Sequence, residues 1–258
     1  MILTINIENT FTIIGVFDGD KLLFKETVPT DKVTTDFKVA SDLEFAFAIH
    51  DLTFDDVTEV AICSVVPSVT ATYERAIVRF MDITPIVAGP GVKTGLKIRI
   101  DDPSQLGTDL AVSAAISVKE YKLPQIIIGL GTANTFSLID ENGFFCGTSI
   151  GPGIKTGLDA LADYTSQLPY TSVEKPKKVI GTNTFESLQS GSVYYCASAI
   201  DGMIDRIEEE YGKSCNLIIT GDYSAAIAPF CKHKMTVDNN LLLKGLKYIC
   251  TKNSELHR

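Results

Sequence analysis

The sequence predicts an α/β protein whose two similar domains face each other across a cleft. The first reason is that residues 1–28 and 125–150 share one pattern: an apolar strand, a polar corner, a second strand, a tight turn and a third strand. The corners and turns coincide when Asn6 is aligned with Gly129. The second reason is that helix-forming sequence and a further strand follow each meander, which indicates a mixed sheet with helices on its faces. We place the domains at 1–115 and 116–258.

Each predicted strand is apolar and is bounded by turn-forming residues. In the first half, FTIIGVF and KLLFKETV flank the turn DGD, and VTEVAICSVV is the later strand. In the second half, QIIIGL precedes the corner, TFSLI and FFCGTSI flank the turn DENG, and CNLIITG is the later strand. The Pro- and Lys-bearing stretch SQLPYTSVEKPKKVIG predicts a surface loop rather than a domain boundary.

Composition and charge narrow the class of protein. The 258 residues carry a formal net charge of -9, whereas nucleic acids and anionic membranes attract clustered Lys and Arg, so neither is an expected partner. The N-terminus has no charged leader and no apolar run approaches a membrane span, so we expect a cytoplasmic protein. The six cysteines form no CxxC pair and the three histidines follow no catalytic pattern. We therefore predict neither a zinc site nor a disulfide framework.

Two nearly identical octapeptides, GPGVKTGL at 89–96 and GPGIKTGL at 151–158, permit close approach of the backbone. After Gly153 the pattern is helical, so free N–H groups there can receive an anion. The first copy runs into LKIRI, which alternates like a strand, and for it we favour a loop in which glycine serves packing. The two facing corners can likewise surround a polyphosphate with N–H groups and hydroxyls, although each alone also fits a plain hairpin.

Two polar residues stand at predicted helix starts. Asp109 lies near the first turn of a helix, where a carboxylate is either a partner of the helix dipole or a general base that deprotonates an alcohol. Thr184 lies in the first turn of another helix, with Asn183 as N-cap and Glu186 closing a capping box. The residues alone therefore predict two facing α/β domains that bind a phosphorylated ligand.

Ordered motifs along essentially the whole chain are similar to those of the type III pantothenate kinases. They are ENT, SVVPSVT, GPGVKTGL, DDPSQLGTD, GTANTF, GPGIKTGLDAL and IGTNTFESLQSG. The resemblance implies two RNase H-like domains of the acetate and sugar kinase/Hsc70/actin fold, in a homodimer whose pantothenate pocket lies at the dimer interface. It also implies transfer of the ATP γ-phosphoryl group to pantothenate, the first step towards coenzyme A, with Mg²⁺ and a monovalent cation, K⁺ or NH₄⁺. A sugar or acetate kinase would fit the fold but not the order of the motifs.

The resemblance also implies roles for single residues. Asp109 matches the proton acceptor of the family. The residues that match its pantothenate contacts are Gly107, Thr108 and Thr184. The residues at the positions of its ATP and phosphate contacts are Asn6, Glu8, Asn9, Thr10, Gly131 and Thr132.

The departures from the family pattern fall on the site. Asn6 and Glu8 stand where the family has Asp and Gly, and Gly129 stands where it has the Asp that holds the monovalent cation. The remaining departures are Leu110 for an arginine, Ile100 for a tyrosine, and Asp222 within a glycine pair. Loss of two acidic partners, at Asn6 and Gly129, implies a rate loss of roughly ten-thousand-fold if the two act independently.

These departures lead to two hypotheses. In the first, the chain phosphorylates pantothenate or a shifted substrate, with Asp109 as base and Glu8 replacing the missing charge. In the second, it is a non-catalytic homologue that binds a ligand or pairs with an intact kinase subunit. A bulky anion in place of glycine would repel phosphates, and on sequence grounds we favour repulsion by Glu8 over replacement.

Overall fold

The computed structural model describes residues 1–254, which divide into two compact units. The first unit contains residues 1–96, 102–119 and 241–254. The second contains residues 97–101 and 120–240. Among the described residues, no helix is long and apolar enough to cross a membrane.

The first unit is built on a five-stranded mixed sheet in the order β3-β2-β1-β4-β5. The strands are β1 (Ile2–Ile7), β2 (Phe11–Asp18), β3 (Lys21–Pro29), β4 (Glu59–Ser64) and β5 (Ile86–Val87). β1, β2 and β3 form the predicted antiparallel meander, and β4 pairs parallel with β1. Residues on both faces of β1 are buried, because helices pack against both faces of the sheet.

Helices cover both faces of this sheet. They are α1 (Asp36–Ala48), α2 (Pro67–Met81), α3 (Thr108–Glu120) and α8 (Leu241–Ser254). Leu3, Ile5 and Ile7 of β1 form one core with apolar residues of α1 and α2. Ala61 and Cys63 of β4 lie on the opposite face and form a second core with residues of α3 and α8. The alternation of side chains along each strand separates these two cores.

The second unit repeats this topology. Its strands are β6 (Lys97–Ile98), β7 (Gln125–Leu130), β8 (Ala133–Ile139), β9 (Phe144–Pro152), β10 (Asn216–Thr220) and β11 (Thr236–Val237). Their order is β11-β10-β7-β8-β9-β6, which without β6 is the order of the first sheet. The predicted duplication of the meander is therefore confirmed.

The helices of the second unit are α4 (Ile154–Tyr164), α5 (Thr184–Ser190), α6 (Cys196–Tyr211) and α7 (Ser224–Ile227). A π-helical turn, Gly191–Tyr195, joins α5 to α6. Ala197, Ile200 and Ile204 of α6 pack in one core with Ile126 and Ile128 of β7. Residues 165–183 contain neither helix nor strand, as the proline- and lysine-bearing sequence predicts.

The compact units differ from the predicted division at 115/116 in three places, of which one is that the first unit keeps α3 as far as residue 119. α8 belongs to the first unit because Leu246 and Ile249 pack against Ala61 and Cys63 of β4. The short segment 97–101 belongs to the second unit because β6 pairs parallel with β9 at the edge of that sheet. Neither the packing of α8 against β4 nor the pairing of β6 with β9 has a local sequence signal, because each joins segments that are distant along the chain.

Candidate functional site

The first part of the candidate site lies at the end of β1. Asn6 is 2% exposed and pairs with Ile13 of β2 on one side and with Cys63 of β4 on the other. Its side-chain amide Nδ2 donates a hydrogen bond of 2.8 Å to Oε1 of Glu8. The structure therefore places a carboxylate at the end of the central strand and ties it to a buried, neutral side chain.

The corner after β1 projects Asn9 and Thr10, both of which are exposed. The Glu8 N–H closes the corner by donating to the carbonyl of Phe11 at 3.0 Å. The Thr10 carbonyl accepts a hydrogen bond of 2.9 Å from the N–H of Thr30, which anchors the corner to the end of β3. The two residues that match phosphate contacts thus stand on an anchored turn next to Glu8.

Asp109 occupies the first turn of α3, as the sequence predicts. A Cβ added at Gly107 would lie 2.7 Å from Oδ1 of Asp109, so the carboxylate folds back over a position where only glycine leaves it room. Burial raises the pKa of Asp109, although hydrogen bonds from the backbone N–H groups of Leu110 and Asp109 itself act in the opposite direction. A carboxyl group with a raised pKa is a stronger base than an ordinary aspartate.

Cys63 lies beside Asn6 in the sheet, and no local pattern in the sequence predicts this position. Burial raises the pKa of its thiol well above the usual range, and the negative charges of Asp109 and Glu8 raise it further. Asn6 and Cys63 are side by side in the sheet, on the face covered by α3. Asn6 and Cys63 are neighbours when ILTINI is aligned in parallel with EVAICS. That alignment can be made only when the two strands are known to pair.

The second unit carries the corresponding corner, Gly131 and Thr132, between β7 and β8. The Thr132 carbonyl accepts from the N–H of Gly153 at 3.0 Å and from Oγ1 of Thr156 at 2.8 Å, so the start of α4 is tied to the corner. A Cβ at Gly153 would lie 2.1 Å from the carbonyl oxygen of Gly131. The predicted close backbone approach at the second octapeptide is therefore confirmed.

A further close approach occurs where β10 ends. Gly221 has a φ of +101°, and a Cβ there would lie 2.2 Å from the carbonyl oxygen of Leu130. Asp222, which interrupts the glycine pair of the resemblance, is exposed. A Cβ at Gly129 would lie 2.6 Å from Oγ1 of Thr135, so the hydroxyl of that threonine occupies the space next to this backbone position.

Thr184 is exposed at the start of α5 in the second unit, whereas Gly107, Thr108 and Asp109 belong to the first. Asn183 is the N-cap, and its side chain accepts from the N–H of Glu186 at 2.9 Å, as predicted. The capping box closes differently from the prediction, because the Glu186 carboxylate accepts from the N–H of Thr182 at 3.1 Å. The difference is one residue, and the turn remains closed.

Comparison with known proteins identifies the family. A sequence model described as Type III pantothenate kinase matches residues 2–206. A type III pantothenate kinase from Halalkalibacterium halodurans is 35% identical over 253 residues, which are 98% of this chain and 100% of that relative. The chain belongs to the type III pantothenate kinase family.

Solved structures agree with this family at the level of the fold. The activator of 2-hydroxyisocaproyl-CoA dehydratase from Clostridium difficile, solved with bound ADPNP, has a TM-score of 0.56 at 14% identity, covering 99% of this chain and 97% of its own. The ethanolamine utilization protein EutJ from Carboxydothermus hydrogenoformans has a TM-score of 0.54 at 11% identity, covering 96% and 88%. The predicted acetate and sugar kinase/Hsc70/actin fold is confirmed.

A pantothenate kinase uses ATP and a divalent metal ion, and the donor atoms near β1 fit such an ion. Glu8 and Asp109 supply carboxylates and Asn6 an amide oxygen, which are the hard oxygen donors that Mg²⁺ prefers alongside nucleotide phosphates. Within residues 1–254 no group of three or more His, Cys, Asp or Glu side chains forms a metal site. Gly129 has no side chain to offer, so the residue present does not fit the family's aspartate ligand for a monovalent cation.

Proposed function

We propose that this chain phosphorylates pantothenate at the expense of ATP, with Asp109 as the proton acceptor. The observation that carries the proposal is the position of Asp109, a partly buried carboxylate with a raised pKa in the first turn of α3. Asp109 lies about one helical turn before Val112, which packs in one core with Cys63, and Cys63 pairs with Asn6 next to the corner of Asn9 and Thr10. An acceptor hydroxyl and a phosphate contact site are needed together for phosphoryl transfer.

The reaction assigns one task to each group of residues. Gly107, Thr108 and Thr184 contact pantothenate, and Asp109 takes the proton of its hydroxyl as the oxygen attacks the γ-phosphorus. The bond to the β,γ-bridging oxygen breaks, and ADP leaves. Asn9, Thr10, Gly131 and Thr132 hold the phosphates through backbone N–H groups and hydroxyls. A bound Mg²⁺ would neutralise charge on the phosphates.

The finer assignments belong to the same proposal. We propose Mg²⁺ as the divalent ion and a cytoplasmic homodimer as the working form. For K⁺ or NH₄⁺ the chain offers no side-chain ligand at position 129, because Gly129 replaces the aspartate that the family uses.

A second candidate is a non-catalytic homologue that binds a ligand or pairs with an intact kinase subunit. Two observations favour it. Gly129 has lost its carboxylate, and Leu110, beside the base, has no guanidinium to pair with the carboxylate of pantothenate. In such a heteromer the chain would contribute Asp109 and Thr184 to a site that another subunit completes.

Direct detection of 4′-phosphopantothenate decides between the candidates. The purified protein is incubated with ATP, pantothenate, Mg²⁺ and K⁺, beside the variant Asp109→Asn. We expect product from the unaltered protein and a rate lower by roughly 10²- to 10⁴-fold in the variant, because a positioned general base contributes about that much. Equal rates would remove Asp109 from the mechanism, and no product from either protein would favour the non-catalytic homologue.

A further inference from the structure

We infer that Asn6 is a positioning residue for Glu8, so that the two departures from the family pattern work as one pair that brings a carboxylate to the divalent ion of the nucleotide. The inference rests on the proposed function and deepens it. It also changes the sequence-based preference for repulsion by Glu8, because the structure gives that carboxylate a specific partner.

The side chain of Asn6 is constrained by burial and by strand pairing on both sides. The residue is 2% exposed and lies between β2 and β4, so its side chain has little freedom. Its Nδ2 donates to Oε1 of Glu8 at 2.8 Å, which is the length of a good hydrogen bond to a charged acceptor. A buried, neutral donor thus fixes the direction of a partly buried acidic side chain.

The side chains at positions 6 and 8 match each other chemically. An aspartate at position 6 would face the Glu8 carboxylate at a distance where two negative charges oppose each other strongly. A glycine at position 8 would leave the buried amide of Asn6 without this acceptor. Asn6 therefore suits Glu8, whereas aspartate at position 6 suits a small neutral residue at position 8.

Two carboxylates lie near the ends of β1 and β4. Glu8 follows the last residue of β1, and Asp109 stands about one turn before Val112, which packs in one core with Cys63 of β4. A polyphosphate approaching Asn9 and Thr10 would be repelled by them unless a cation lies between the anions. Carboxylates and phosphates together are the usual ligands of Mg²⁺. Glu8, held in place by Asn6, therefore favours nucleotide binding by contacting the cation that lies between it and the phosphates.

The test measures nucleotide binding rather than turnover. Dissociation constants of the non-hydrolysable ATP analogue AMPPNP are measured by calorimetry on the full chain, with Mg²⁺ and without it. The ratio of the two constants is the Mg²⁺ enhancement. The variants are Asn6→Ala, Asn6→Asp, Glu8→Gly and the double variant Asn6→Asp/Glu8→Gly, with Glu44→Gln on the exposed side of α1 as matched control.

We expect the unaltered protein to show a Mg²⁺ enhancement of about ten-fold or more, from a charge-assisted contact. Asn6→Ala, Asn6→Asp and Glu8→Gly each lose most of it, whereas the double variant regains it and Glu44→Gln keeps it. A merely structural role for Asn6 would weaken binding equally with and without Mg²⁺, and the enhancement would stay the same.

The outcomes separate the inference from the proposed function. No AMPPNP binding by the unaltered protein overturns the proposed function, and this inference with it. Binding whose enhancement is unchanged in Asn6→Ala or Glu8→Gly overturns the inference alone, as does a double variant that shows both single losses added together. If a variant is not folded by circular dichroism, Glu8→Gln replaces it, since glutamine keeps an oxygen for Asn6 but not the charge. Full enhancement in Glu8→Gln also overturns the inference.

Discussion

Gly153→Ala tests the contact between the start of α4 and the corner of the second unit. The added Cβ would lie 2.1 Å from the carbonyl oxygen of Gly131 and 2.5 Å from that of Thr132, whereas real Cβ contacts stay beyond 3.0 Å. The corner must therefore move by at least about 0.9 Å relative to α4. Overpacking of this kind destabilises a protein by roughly 1–3 kcal/mol. A displacement near 1 Å of a group that positions a ligand lowers activity by about a hundred-fold.

Gly157→Ala is the matched control, because it lies on the same helix and a Cβ there meets nothing within 4 Å. It should stabilise the protein by about 0.5–1 kcal/mol, since alanine favours the helix over glycine. AMPPNP affinity by calorimetry and the melting temperature are measured for both variants. We expect Gly153→Ala to bind more weakly and melt several degrees lower, and Gly157→Ala to bind normally and melt slightly higher. Normal affinity and melting in Gly153→Ala would refute the claim that this contact shapes the phosphate corner.

Three further variants test other parts of the structure. Asp109→Asn should raise the melting temperature at neutral pH while lowering turnover by roughly 10²- to 10⁴-fold, because burial raises the pKa of Asp109, and its contribution to stability is lost as pH rises through that value; a lower melting temperature would contradict this. Gly245→Ala should destabilise by roughly 1–3 kcal/mol in urea unfolding, because its Cβ would lie 2.4 Å from the carbonyl oxygen of Val112; unchanged stability would mean that α3 and α8 pack less closely. Glu141→Gln should be less stable than the unaltered protein above pH 4.5, because Lys213 and Tyr211 hold the pKa of Glu141 at about 2. The difference in stability between the two proteins should vanish as pH falls towards 2, where Glu141 becomes protonated. A constant difference in melting temperature across this range would exclude charge as the cause.

The duplicated meander and the helix start at Asp109 could be predicted because their signals are local. Each segment contains its own alternating apolar residues, polar corner and turn residues. Because the same pattern occurs twice in the chain, each copy supports the assignment of the other. The two octapeptides show where local signals end. They differ at a single position, Val92 against Ile154, yet 89–96 is a loop and Gly153 is the N-cap of α4. The segment after each copy, KIRI or DALADY, decides its structure.

The site could be predicted only as far as single residues. The sequence shows Asn6 and Glu8 as two departures from the family pattern, whereas the structure shows them as partners joined by a hydrogen bond. The place of Cys63 depends on the pairing of β1 with β4, and that of α8 on packing between distant segments. Both depend on tertiary packing, which neither the secondary-structure propensity nor the hydrophobic period of a single element predicts.

The return of α8 to the first unit has a consequence for synthesis of the chain. A ribosome makes β1 and β4 early and α8 only after all strands of both sheets, so one face of the first sheet stays incompletely covered until α8 has been made. During this time Ala61 and Val112 lack partners that they have in the finished fold. Fragments that stop before residue 241 should therefore bind chaperones or aggregate, even when they contain every strand of the first sheet.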